Sequence, residues 1–399
     1  MTRPHIAILG AGPIGLEAAL AAAEHGFSFT LYEAGARPAE DVRAWGHVRM
    51  FTPWEMNLSD RMRRGLAGAG QPLPAADRCP TGRELLAELM EPLAALPAIA
   101  PRLRLDTRVQ AVGREGLLKN EEIATPARAA RRFRLLLTDP AGREWTESAD
   151  VVLDATGTSG HPNSLGDGGI PAPGETAASA RITRRIPDLE REAASWAGRT
   201  VLLAGAGHSA QTAGLALADL AREATGTRVV WALRKDELAG GGEPDPLPER
   251  ARLVSRAREL AAGASPAVEV RRRVVVESLR PANGGLSVTL RGADGERREV
   301  AADRVLSLTG GVGDHELYRQ LQVHECYATC GPMKLSAAIL GAAAGGDCLA
   351  QTTHGVETLT NPEPNFFLLG SKSYGRNNTF LLRVGYDQVE EVFTLLAEK

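Results

Sequence analysis

The apolar positions of this chain fall into short continuous runs, divided by glycine turns and by stretches of helical periodicity. His5-Ile6-Ala7-Ile8-Leu9 is such a run, and Gly10-Ala11-Gly12-Pro13-Ile14-Gly15 follows it. An alanine-rich stretch then leads to about His25, and a second run ends at Thr30-Leu31-Tyr32-Glu33. Unbroken apolar runs mark strands buried on both faces, so the pattern predicts a βαβ unit. It recurs at Thr200–Ala204, Gly205-Ala206-Gly207-His208-Ser209-Ala210, a helix to about Glu223, and Arg228–Leu233. Between the two, Phe133–Thr138 and Glu144–Thr146 read as a hairpin around Pro140-Ala141-Gly142, and Val151–Asp154 as a buried strand. Further strands are predicted at 274–279, 286–290, 305–308 and 365–370, before a final helix whose Val389, Val392, Phe393 and Leu396 share one face.

Each glycine turn has a physical reading. Gly10 permits the tight turn, Gly12 lets the backbone approach a pyrophosphate, and Gly15 lets helix and strand pack closely. Pro13 and Ile14 open the helix, whose first N–H groups and positive dipole end face an anion. Glu33 is placed to accept from a ribose hydroxyl and to repel a 2′-phosphate. In the second unit Gly205, Gly207, His208, Ser209 and Ala210 stand at the turn, and Arg234 with Lys235 replaces the acid, which favours NADPH. His208 reads as a turn residue lining the nucleotide.

Two strands end alike, in Ala155-Thr156-Gly157 and Thr309-Gly310-Gly311, with a Gly- and Pro-rich stretch at 160–180 between. That echo predicts an α/β protein of two Rossmann-like dinucleotide-binding domains. The NADPH domain, 171–304, is inserted into a discontinuous FAD domain, 1–170 and 305–399.

Composition narrows the function. The chain has 399 residues, 43% of them hydrophobic, with 46 basic against 49 acidic side chains. That is enough for two or three cores, and the balanced charge offers no field for nucleic acid. No apolar run is long enough for a bilayer, and four dispersed cysteines favour a reducing, cytoplasmic setting.

The glycine turns with Glu33 and Arg234, Ala155-Thr156-Gly157, and the segment Met50–Asp60 resemble the flavin-containing monooxygenase-like branch of flavoproteins with two dinucleotide-binding domains. The resemblance implies FAD at Gly10–Gly15 and NADPH at Gly205–Ala210, with Thr156, Gly157, Gly370, Ser371 and Leu382 also at the cofactor. It implies hydride transfer to the flavin, then a C4a-hydroperoxide that oxygenates nitrogen or sulfur of a small molecule. O₂ and a small-molecule substrate are thus the expected partners, and a homodimer is left open. The donor-rich run 370–383 should meet the flavin, with Lys372, Arg376 and Arg383 adding positive charge. Arg49, Asn57, Arg376 and Arg383 are the catalytic candidates; Trp45, His47 and Trp54 are candidates for a substrate cavity.

Cys326 and Cys330, with His324 and His354, raise two further readings, a redox dithiol and a metal site. The spacing lacks the short thiolate turn of zinc sites and lies outside the usual dithiol positions, so structural or cavity-lining cysteines and no metal are expected. A disulfide reductase or oxidase with the same two cofactors is the alternative enzyme, and a flavin-binding redox sensor the non-enzymatic one.

Overall fold

A computed structural model describes residues 3–240, 245–282, 284–342 and 353–398. Cys348 lies outside them. The chain divides into two units, Met1–His161 with Val312–Lys399, and Pro162–Gly311.

The described strands are, in order, β1 (His5–Leu9), β2 (Ser28–Tyr32), β3 (Leu103–Arg104), β4 (Arg108–Arg114), β5 (Phe133–Thr138), β6 (Glu144–Ala149), β7 (Val151–Asp154), β8 (Ile182–Thr183), β9 (Thr200–Ala204), β10 (Arg228–Leu233), β11 (Val268–Arg272), β12 (Val274–Ala282), β13 (Gly285–Gly292), β14 (Arg297–Ala302), β15 (Arg304–Ser307) and β16 (Phe366–Leu368). In the first unit a parallel sheet runs β16-β7-β1-β2-β3, and β4-β5-β6 form an antiparallel sheet. In the second, the order is β8-β15-β9-β10-β11, again parallel, with β12-β13-β14 antiparallel. With β1 matched to β9, the two strand orders are the same, although the edge strand beside β7 comes from the end of the chain and the one beside β15 precedes β9.

Burial follows from the two-residue period of a strand. In β1, Ile6 and Ile8 join the cluster containing Leu16 and Leu20 of the helix Pro13–Glu24, whereas Ala7 and Leu9 join Phe133, Leu135 and Leu137 of β5. In β9, Val201 and Leu203 meet Ala213 and Leu217 of the helix His208–Glu223, and Leu202 and Ala204 share a cluster with Val288 and Leu290 of β13. Each parallel sheet therefore has helices on one face and the small sheet on the other. The final helix, Leu382–Ala397, buries Val389, Val392, Phe393 and Leu396 in the first unit.

The second unit is inserted into a discontinuous first unit, as the echo between 155–157 and 309–311 predicts, but the echo itself has another origin. β7 pairs with β1, and β15 pairs with β9. The two Thr-Gly turns are thus equivalent positions in two copies of one strand order. Residues 162–170 and 305–311, assigned by sequence to the first domain, belong to the second unit.

Candidate dinucleotide sites

At the end of β1 the Gly10 N–H bonds the Tyr32 carbonyl at 2.8 Å, and the first helical bond runs from Leu16 N to Gly12 O at 2.9 Å. The preceding N–H groups of the first turn have no place in the helical ladder. Gly10 has φ +93°, and a Cβ there would lie 2.8 Å from the Ala155 carbonyl oxygen. A Cβ on Gly15 would lie 1.8 Å from the Gly10 carbonyl oxygen, so this glycine is required for packing. Gly12 differs. Its φ of −77° and ψ of −171° suit any residue, and a Cβ would meet no protein atom within 4 Å.

Gly12 borders a cavity of about 420 Å³ whose wall includes Gly10, Pro13, Ile14, Glu33, Thr156, Gly157, Gly370, Ser371 and Leu382, together with Trp45. These residues come from the ends of β1, β2 and β7, from the turn after β16, and from the start of the last helix. Strand order brings them together. The Glu33 carboxylate accepts from Ala11 N and Gly35 N, each at 2.9 Å. Burial raises its pKa against those two donors. Each oxygen keeps a second lone pair for another donor.

The far wall is fixed by a buried ion pair that sequence reasoning missed. Asp154, the last residue of β7, accepts from Lys372 Nζ at 2.6 Å with Oδ2, and from Thr156 N and Oγ1 at 3.1 and 2.7 Å with Oδ1. Lys372 also lies 5.1 Å from the Tyr318 ring centroid. The lysine, anticipated as added positive charge at the flavin, is fully buried as a structural partner. A charge ending an otherwise apolar strand was the available signal. Gly370, with φ +70°, is held by Ser373 Oγ donating to its carbonyl and by its own N–H on Gln388 Oε1.

The catalytic candidates are placed elsewhere than in the wall of this cavity. Asn57 is buried and spends its amide on Thr52 and Pro53. Arg49 donates to the Cys79 carbonyl at 2.6 Å. Arg376 donates its backbone N–H to Thr329 O and its Nε–H to Cys330 Sγ. Arg383 is the second residue of the last helix. Trp54 is in the core, and His47 and Arg49 follow Trp45 in the segment after the helix Glu40–Ala44.

The second turn repeats the first. Gly205 has φ +133°, and a Cβ there would lie 2.2 Å from the Leu308 carbonyl oxygen, just as Gly10 faces Ala155. Gly207, with φ −74° and ψ 174°, would again carry a Cβ that meets no protein atom within 4 Å. The Ala206 carbonyl accepts from Ala239 N at 2.9 Å, as the Ala11 carbonyl accepts from Ala39 N at 3.1 Å. Gln211 Nε2 donates to Ala206 O and Ala239 O, tying this loop to the helix. Ala210 is buried where the first turn has Gly15, Ser209 and the Arg234-Lys235 pair are exposed, and burial lowers the pKa of His208. Among the described residues no group of three or more His, Cys, Asp or Glu could hold a metal, and no helix is long and apolar enough to cross a membrane.

No protein-family model matches the chain, and no curated protein matches it by sequence. Solved structures do. A bacillithiol disulfide reductase from Bacillus cereus is 19% identical over 99% of both chains, with a TM-score of 0.71. The fold is that of flavoproteins with two dinucleotide-binding domains. The same architecture relates the chain to a Lactococcus lactis thioredoxin reductase, 16% identical over 100% of both chains with a TM-score of 0.62. It relates it also to an ornithine N-hydroxylase from Kutzneria sp. 744 described with reduced FAD, NADP⁺ and L-ornithine, 14% identical over 99% of both chains with a TM-score of 0.62.

Proposed function

We propose that the protein is an FAD-dependent oxidoreductase that takes hydride from NADPH and, with O₂ as acceptor, oxygenates a nitrogen or sulfur atom of a small molecule. The observation that carries the cofactor assignment is the pair Gly12 and Gly207. Neither needs to be glycine for its backbone or for its protein neighbours, so the missing side chain leaves room for a ligand. Support comes also from the Kutzneria hydroxylase, a protein of this fold that holds both nucleotides.

Bound FAD would supply the redox chemistry, accepting a hydride and passing two electrons on. The protein's part is to bind and orient. The Gly12, Ile14 and Gly15 amides at the start of the first helix would hold the pyrophosphate, and Glu33 would accept from a ribose hydroxyl. The Asp154–Lys372 pair and the Gln388–Ser373–Gly370 bonds brace the residues next to Thr156, Gly370 and Ser371, which would keep the cavity wall in place for a bound cofactor. Arg234, aided by Lys235, recognises the 2′-phosphate of NADPH. Overall, NADPH, a proton, O₂ and substrate give NADP⁺, water and the oxygenated substrate.

A second reading, an NADPH-dependent disulfide reductase, is favoured by the higher TM-score of the Bacillus cereus structure. Against it, no cysteine lines the first cavity among the described residues. The two are separated by following NADPH consumption with amines and thioethers under ¹⁸O₂ and with low-molecular-weight disulfides under nitrogen. Transfer of ¹⁸O to a product supports the oxygenase; disulfide-dependent turnover without oxygen replaces it with the reductase.

A further inference from the structure

Beyond the nucleotide sites, the loop 324–333 places two thiols in one tight turn. Its ends are bound by Met333 N to His324 O at 2.9 Å and by Cys326 N to Gly331 O at 2.8 Å. Between them the Cys330 N–H donates to the Cys326 carbonyl at 2.8 Å, and Cys330 takes φ +60° to close the turn. A turn closed by such a bond brings the two Cα atoms to about 6 Å, inside the range a disulfide spans. Both cysteines are free.

Their surroundings differ. Cys330 is half-buried and receives the Arg376 Nε–H on its Sγ at 3.3 Å. Cys326 is 6% exposed, while Tyr327 beside it is 96% exposed, so the turn stands at the surface with one sulfur beneath it. Thr329 Oγ1 and Ser336 Oγ lie 2.6 Å apart near that inner sulfur.

We propose that Cys330 and Cys326 form a peroxide-reactive dithiol that closes to a reversible disulfide. Cys330 thiolate attacks one oxygen of hydrogen peroxide, the O–O bond breaks, and hydroxide leaves, taking a proton to become water. Cys330 is then a sulfenic acid, oxidised by two electrons. Cys326 thiolate attacks that sulfur, the S–O bond breaks, and the departing hydroxide is protonated to a second water. Arg376 holds a positive charge where the attacking sulfur carries its negative charge. The inner thiol is prepared for the second step: the N–H and hydroxyl of Thr329, the N–H of Ala328 and Ser336 hold its pKa below the ordinary thiol value against the effect of burial.

The inference does not depend on the flavin reading, and its test uses a different readout. The whole protein, with whatever cofactor it carries, is treated with hydrogen peroxide, blocked with N-ethylmaleimide and digested with trypsin. The peptide Gln320–Lys334 contains both cysteines. It should lose two hydrogens, escape alkylation, and regain both thiols with dithiothreitol. Cys326→Ser should accumulate a dimedone-reactive sulfenic acid at Cys330, and Arg376→Met should slow its formation by about tenfold. Persistence of two alkylated thiols in this peptide while Cys79 oxidises would overturn the proposal. So would oxidation of Cys326 at an unchanged rate in Cys330→Ser.

Discussion

The two units build the same sheet order around the same glycine turn, and they differ at three matched positions. Where Glu33 follows β2, Leu233 closes β10 before Arg234; where the first helix has Gly15, the second has Ala210; where β7 ends in Asp154, β15 ends in Ser307. What the units share is the backbone geometry that a pyrophosphate needs. What they do not share is charge at the ribose end and the ion pair behind the turn. The common fold thus provides two similar glycine turns, and on the proposed function a few side chains would set which nucleotide suits each.

The largest effect should come from the ion pair that only the first unit has. Lys372→Met leaves Asp154 buried without its cation and should cost about 3–5 kcal/mol in denaturant unfolding, with much of it recovered in Lys372→Met/Asp154→Leu. Ser307→Ala at the matched place should change stability by less than about 1 kcal/mol. A loss of equal size at both positions would show that the pair is not what distinguishes the units.

Next comes the helix start. Gly15→Ala forces a Cβ against the Gly10 carbonyl and should destabilise by about 1–3 kcal/mol, while Ala210→Gly should cost only about 1 kcal/mol through helix propensity. Thermal melts of the two variants check the order. At the ribose end, Arg234→Ala should lower kcat/KM for NADPH by roughly ten- to hundredfold and leave NADH nearly untouched, which steady-state kinetics with both coenzymes would read.

Smallest are the pH effects, and they oppose one another. Glu33 holds its proton more tightly folded than unfolded, so its contribution is present at low pH and is lost as pH rises from the ordinary carboxylate value through the raised one. His208 holds its proton less tightly folded, so stability is lost as pH falls from 6.5 through its lowered value. Glu33→Gln should flatten the first slope and His208→Gln the second, measured by unfolding across the acidic range.

Much of this was legible locally. Both βαβ units, the strand at Val151–Asp154 and the last helix around Val389, Val392, Phe393 and Leu396 follow from apolar runs, glycine turns and helical spacing, which act within a few residues. The first strand of the first small sheet, β4, carries polar residues along much of its length, and its partner in the sheet is what makes it a strand. Asp154 and Lys372 lie 218 residues apart, so no local pattern announces their contact. Asn57 looked available for chemistry because the sequence does not show that its amide is consumed within its own turn.

The direct test of two cradles for two nucleotides is the absorbance spectrum of Gly12→Val and Gly207→Val proteins before and after anaerobic NADPH. Neither substitution meets a protein atom at Cβ, so both should fold. The account predicts that Gly12→Val purifies without flavin, whereas Gly207→Val purifies yellow and stays yellow at NADPH concentrations that bleach the unaltered protein. Full flavin in Gly12→Val, or normal bleaching of Gly207→Val, would contradict it.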